Sequence, residues 1–355
     1  MGEQGFKINS QRVEYYDLLR VILVFLVVAG HGTYYQVTTN FGGIYYNTMM
    51  QEIGVEYSLF YKVIYLFKSF IYTFHMPTFI ALSGSIFQYN KETNFCHFVV
   101  KKAKRLIVPF ITVWLCWNLP IKYLTGYYKG VCLYKILLQM VFPANVYLWF
   151  LESLFVIFIL AFFLIKIDRK KVQIIIVLFA WLVGLFIYMK YDEWHFLGDP
   201  LYYLGWFYLG YRVEDVISLL KKYNMWNLVS TSFAFFFVIG IFLLNYKYSI
   251  FYITQACQYL VFPTLMFIVL NYIVRKIKVK GNWIGVASEY SLGIYLYAEP
   301  LNYLILFMYW KFCGIEYFGS EIGSILIFFS RILITPIVAI IIVLLLKKCR
   351  LKYLY

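Results

Sequence analysis

Tyr16-Asp17-Leu18-Leu19-Arg20-Val21-Ile22-Leu23-Val24-Phe25-Leu26-Val27-Val28-Ala29-Gly30-His31 is the stretch that decides how this chain is read. Val21 to Ala29 are unbroken apolar residues, with an arginine before them and a histidine just beyond. Arg20 and His31 are eleven positions apart, which on a helix is three turns plus about 20°. The two therefore share one face, roughly 16 Å apart along the axis. Asp17 lies three residues before Arg20, close enough to pair with it across one turn. Ionisable side chains on one face of an apolar helix are costly in a bilayer unless they line a cavity, so this face is a functional-site hypothesis.

Working outward, the chain of 355 residues is 63% hydrophobic and only 14% charged. Soluble domains carry about 45–50% apolar and about 25% charged residues, so an ordinary soluble domain is excluded. The apolar residues gather into segments approaching the roughly 20 needed to cross a bilayer. The first run lacks a small-x-small cleavage site after it and is read as a retained span. Six cysteines and four histidines are scattered, with no spacing that argues for disulfides or a metal site. The net charge of +15 falls in clusters between apolar runs, as cytoplasmic loops do. No soluble basic domain is left to hold nucleic acid.

Ten spans are expected, at roughly 17–37, 63–87, 106–119, 147–165, 172–189, 198–211, 228–244, 251–273, 284–308 and 322–346. The third and sixth are the shortest. With ten spans, 22 of the 32 lysines and arginines fall on the side of the termini, seven on the other, and three inside spans. That asymmetry places both termini in the cytoplasm. The expected fold is an all-α integral membrane protein of about ten transmembrane helices, one domain over residues 1–355 with no appended soluble domain. A short interfacial helix is expected over 133–142, too brief to span.

Four further stretches carry candidate chemistry. Phe74-His75-Met76-Pro77 leads to Ser83-Gly84, where Pro77 interrupts the helical hydrogen bonds. A kinked packing helix with a small-residue contact is the competing explanation. Lys101-Lys102-Ala103-Lys104-Arg105 precedes Leu-Ile-Val-Pro109. Lys102 and Arg105 share a helix face and suit phosphate groups, although the same cluster also sets topology. Tyr147-Leu148-Trp149-Phe150-Leu151-Glu152 opens the fourth span, with Trp149 fit for an interfacial belt and Glu152 about 8 Å inside the edge. The ninth span reads Ser288-Glu289-Tyr290-Ser291-Leu292-Gly293-Ile294-Tyr295-Leu296-Tyr297-Ala298-Glu299-Pro300.

Taken in order, these stretches resemble the signatures of the membrane-bound acyltransferase 3 family over nearly the whole chain. The chain departs from the family pattern in two places. Lys102 stands where the family usually has the first arginine of Arg-x-x-Arg, and lysine offers a point charge rather than a fork. Ala298 stands where a histidine is often found, leaving Glu299 as the nearby ionisable group.

Helix rise then places five ionisable residues at similar depth. His31 and Glu299 lie about 21–22 Å above the cytoplasmic edges of their spans, and Glu152, Lys68 and Arg331 roughly 8–13 Å below the outer edges. Charges at that depth are expected to pair around a polar cavity.

The resemblance implies transfer of an acetyl or similar group from acyl-coenzyme A to a hydroxyl of a surface polysaccharide or lipid-linked sugar, at the cell membrane. No cofactor beyond that donor and no metal is expected. The catalytic candidates are His31, Arg20 and Asp17. His31, near its reference pKa of about 6.5 or below it, serves as base, and an acyl-histidine relay is the alternative chemistry. The substrate-binding candidates are Lys102, Arg105, His75, Trp149, Glu152, Tyr295, Glu299 and Arg331. A polysaccharide flippase or polymerase-like protein, without acyl transfer, is the alternative function, and inverted repeats or paired broken helices would favour it.

Overall fold

The computed structural model describes residues 2–39, 41–138, 147–190, 194–245, 252–277, 282–351 and 354. Among the described residues the fold is all-α apart from one small ribbon. The chain begins with α1 (Gly2–His31), the strands β1 (Gln36–Thr39) and β2 (Gly42–Tyr45), and α2 (Tyr46–Glu52). Next come α3 (Leu59–Tyr72), α4 (His75–Phe87), α5 (Phe95–Val113), a π turn (Trp114–Asn118), α6 (Leu119–Leu124) and α7 (Leu133–Leu138). They are followed by α8 (Trp149–Leu164), α9 (Lys170–Lys190), α10 (His195–Tyr211), α11 (Val213–Lys222) and α12 (Trp226–Asn245). The chain closes with α13 (Tyr252–Lys276), α14 (Trp283–Cys313) and α15 (Glu321–Lys348).

Among the described residues, four helical stretches are long and apolar enough to cross a membrane: Leu59–Phe87, Phe95–Leu124, Lys170–Ile187 and Glu321–Lys348. Their apolar side chains do not all turn inward. In α9, Ile175 is 64% and Phe179 68% exposed, an outward apolar face that suits lipid rather than water.

Local chemistry sets the helix ends. Asn94 caps α5 by accepting from the His97 amide at 3.0 Å, and Ser320 caps α15 by accepting from Gly323 at 3.0 Å. Pro77 has no N–H to return to Thr73, and the helix breaks at Thr73–Phe74, between α3 and α4. The first helix ends at His31, short of the expected limit at 37, because the chain turns there into the β1–β2 ribbon. Gly42 makes the ribbon's seat possible: its φ is +127°, and a Cβ there would meet the Tyr127 carbonyl at 2.3 Å. Of the helix expected over 133–142, Leu133–Leu138 is helical and 139–142 lie outside the described residues.

The chain divides into two compact units. One comprises Met1–Val27, Ser69–Lys91 and Gly205–Ser291. Its core holds Phe74, Phe262 and Met266, with Leu26, Phe70, Phe233 and Leu270 packed around them. There α4 meets the end of α10 with almost no separation, since a Cβ on Gly84 would fall 1.9 Å from the Phe207 carbonyl oxygen. Ser85 seals that contact by donating to the Gly210 carbonyl at 3.1 Å.

The other unit comprises Val28–Lys68, Glu92–Leu204 and Leu292–Tyr355. In it α5 packs on α8 through stacked Phe98 and Phe162 (4.9 Å between ring centres). The start of α3 is tied to α15, where the Glu321 carboxylate accepts from the Leu59 and Phe60 amides at 2.6 and 3.2 Å.

Candidate functional site

The C-terminal end of α1 presents His31 and leaves backbone carbonyls with no partner inside the helix. Arg331, on α15 and fully buried, answers that need. Its guanidinium donates to the carbonyls of His31 and Tyr34, both at 2.7 Å, and to Asn302 Oδ1 at 3.1 Å. A cation at a helix C-terminus also complements the macrodipole. Arg331 lies within electrostatic reach of Glu299, while its donors go to neutral oxygens that hold the backbone carrying His31.

Glu299, on α14 and buried, meets the other side of that histidine. Its Oε1 accepts from the Tyr34 hydroxyl at 2.5 Å and the Tyr303 hydroxyl at 2.7 Å. His31 Nδ1 lies 3.8 Å from the same oxygen. Glu299 Oε2 is buried with no hydrogen-bond partner among the described residues. His31 Nδ1 is likewise shut from solvent, while the side chain keeps 21% exposure. That exposure therefore belongs to side-chain atoms other than Nδ1. A carboxylate beside one imidazole nitrogen fixes which way the ring faces and leaves the other nitrogen for proton transfer.

Two lysines complete the surroundings. Lys68 places its Nζ 4.8 Å from the Tyr65 ring centre and 6.0 Å from that of Tyr34. Lys122 falls between the third and fourth expected spans, yet it is 1% exposed on α6. Its Nζ lies 4.1 Å from the Tyr127 ring centre and 5.4 Å from that of Tyr303.

Of the five residues expected at one depth, the structure brings His31, Glu299, Arg331 and Lys68 together through Tyr34. Glu152 stands apart. It is in electrostatic reach of Asp199, and His195 Nδ1 contacts Asp199 at 3.1 Å. No hydrogen bond or ion pair joins Glu152 to a cation among the described residues. The sequence reasoning missed Tyr34, Tyr303, Asn302 and Lys122. Asn302 and Tyr303 could have been found, since they lie three and four positions after Glu299 on one helical face.

Asp17 and Arg20 form their own group. Arg20 donates to Asp17 Oδ1 at 3.1 Å, as the spacing predicted, and to Ser288 Oγ at 2.6 Å. Ser288 in turn donates to Asp17 at 2.7 Å, closing a triangle. Ser288, in the ninth expected span, is the partner that holds the arginine.

The remaining candidates take simpler places. His75 is buried, and its Nδ1–H serves the Ile71 carbonyl of its own turn at 2.9 Å. Ser83-Gly84 belongs to the tight α4 contact, which favours the packing explanation for that stretch. Lys102 is half-buried with Nζ 3.6 Å from the Phe158 ring centre, while Arg105 is exposed one turn on. Trp149 lies 5.3 Å from the Tyr203 ring. Tyr295 donates to the Tyr147 carbonyl, and Tyr147 donates to the Leu296 carbonyl at 2.6 Å. These two bonds fasten the chain just before α8 to α14. Among the described residues no cluster of histidine, cysteine or carboxylates could hold a metal ion.

Residues 13–345 match a family model described as an acyltransferase domain. No curated protein and no solved structure matches the chain. The match takes in His31, Glu299, Arg331 and the Asp17–Arg20 pair alike, and it agrees with the apolar helices long enough to cross a bilayer. The chain belongs to the acyltransferase 3 family of membrane acyltransferases.

Proposed function

We propose that this protein is a multi-pass enzyme of the cell membrane, with ten spans and cytoplasmic termini, that moves an acetyl or similar acyl group from acyl-coenzyme A to a hydroxyl of a surface polysaccharide or lipid-linked sugar. The observation that carries the reading is the His31–Glu299 pair, buried at Nδ1 and braced by Tyr34, Tyr303 and Arg331. A base so held is the central requirement for O-acyl transfer. His31 Nε2 takes the acceptor's hydroxyl proton as that oxygen attacks the thioester carbonyl. The tetrahedral intermediate then collapses, the ester forms, and coenzyme A leaves as the thiolate, which regains a proton from the imidazolium. Positioned base catalysis of this kind contributes typically about 10²–10⁴-fold.

Lys102 and Arg105 are assigned to the donor's phosphates. Arg20 and Asp17, paired with each other and with Ser288, are kept as catalytic candidates on the family resemblance. Glu152, His75, Trp149 and Tyr295 remain assigned to substrate contacts on the family resemblance, with Tyr295 acting through the Tyr147 backbone. The direct test is the full chain in bilayer nanodiscs, supplied with acyl-coenzyme A and the cell's own surface glycan, with ester formation followed by NMR. Ester formed by the parent and lost in His31→Ala supports the proposal. Donor consumption without ester, or no reaction with any hydroxyl acceptor, overturns it.

A further inference from the structure

The helix from Phe95 to Leu124 contains two side chains that the chemistry above does not use. Trp114 and Asn118 are both fully buried. The Trp114 indole N–H and both amide atoms of Asn118 have no hydrogen-bond partner among the described residues. Buried polar atoms are nearly always paired, so three orphans within one turn call for an explanation.

The π turn over Trp114–Asn118 bears on their alignment. A π turn takes more residues than an α turn, so four steps along it fall short of a full circle, whereas four α steps overshoot it. The two errors have opposite sign and bring Trp114, Asn118 and Lys122 close to one face. Trp117 Nε1 donates to the Tyr297 carbonyl at 3.0 Å, and Lys122 packs against Tyr303. The segment thus runs beside the same stretch of α14 that carries Glu299.

We propose that Trp114 and Asn118 pair with the amide groups of the donor's pantetheine arm, which rests on the acyl-coenzyme A reading above. An Asn side chain offers one donor edge and one acceptor, the complement of a secondary amide. An indole N–H offers a donor for a second carbonyl. The pantetheine arm carries two secondary amides separated by two methylene groups, a spacing comparable to the one turn, about 6 Å, between Trp114 and Asn118. The next turn carries Lys122, next to the tyrosine that holds Glu299, so the thioester arrives where His31 acts. Entry of the arm parts the packing over this face, and the orphan atoms weaken that packing until the arm pairs them.

The test compares two ligands by calorimetry on the full chain in detergent: coenzyme A, and adenosine 3′,5′-bisphosphate, which lacks the arm. Asn118→Leu should weaken coenzyme A binding by about tenfold and leave the nucleotide unaffected. It should not lower the thermal midpoint, because it removes orphans and keeps the volume. Lys102→Ala with Arg105→Ala should instead weaken both ligands. Equal coenzyme A binding by Asn118→Leu and parent, or an equal loss for both ligands, overturns the proposal. If Asn118→Leu does not fold, Trp114→Phe carries the same comparison. A parent that binds neither ligand overturns the donor reading itself, and this inference with it.

Discussion

Arg331 donates to the backbone carbonyl of His31 at 2.7 Å, across 300 positions of sequence. A fully buried cation thus holds the histidine by its main chain. The arrangement fixes where α1 stops, and with it the direction in which the imidazole leaves the backbone.

Replacing Arg331 with lysine should therefore be a poor exchange. An ammonium cannot reach the His31, Tyr34 and Asn302 oxygens in the fixed fork that guanidinium offers. Loss of one or two hydrogen bonds at about 1 kcal/mol each predicts roughly five- to thirtyfold slower transfer. Arg331→Met, which leaves the carbonyls orphaned, should also lower the thermal midpoint. Unfolding curves beside transfer rates, both per molecule of folded protein, provide the check.

His31 itself should tolerate neither alanine nor glutamine. Glutamine can hydrogen-bond but takes up no proton at neutral pH. Both variants should lose about 10²–10⁴-fold in transfer at normal protein level. Near-parental transfer by either would remove His31 from the role of base. Incubation with donor alone, followed by mass spectrometry, separates a general base from an acyl-histidine relay.

Glu299→Gln keeps an acceptor for Tyr34 and Tyr303 but removes the charge beside His31. Transfer should fall by about tenfold or more while the protein still folds. Tyr34→Phe and Tyr303→Phe share one acceptor oxygen, so their effects should be non-additive. A double-mutant cycle on initial rates measures that coupling, and strict additivity would argue against a shared role.

The contact between α4 and α10 should fail on the smallest enlargement. A methyl group on Gly84 cannot occupy a position 1.9 Å from the Phe207 carbonyl oxygen, so the helices must separate. Gly84→Ala should cost about 1–3 kcal/mol of stability and reduce folded yield. Chromatography of detergent-extracted protein reads the loss directly.

Topology is tested at the two ends of α9. Cysteines at Lys170 and Lys190 should react with an impermeant thiol reagent from opposite sides, Lys170 from the cytoplasm. Labelling of both from one side would rule out the ten-span arrangement.

Hydropathy and short-range spacing carry the part of the fold that is legible along the chain. Each expected span overlaps helix, although 17–37 stops at His31 and 63–87 is broken at Thr73–Phe74, and four described helical stretches are long and apolar enough to cross a membrane. The Asp17–Arg20 pair follows from a spacing of three, and the break before α4 from Pro77. Partners distant in sequence were not legible. Ser288 for Arg20, Glu299 for His31, and the His31 carbonyl for Arg331 were all chosen by how helices meet. Lys122 shows the reason most plainly. Its neighbours in sequence read as a loop between spans, and only packing against Tyr127 and Tyr303 buries it. Glu152 shows the converse, since equal depth did not bring it to the cluster: helix rise gives height along the membrane normal and nothing about the direction a face turns. A buried polar group takes its partner from whatever the tertiary fold places within about 3 Å, and that choice is written in no local pattern.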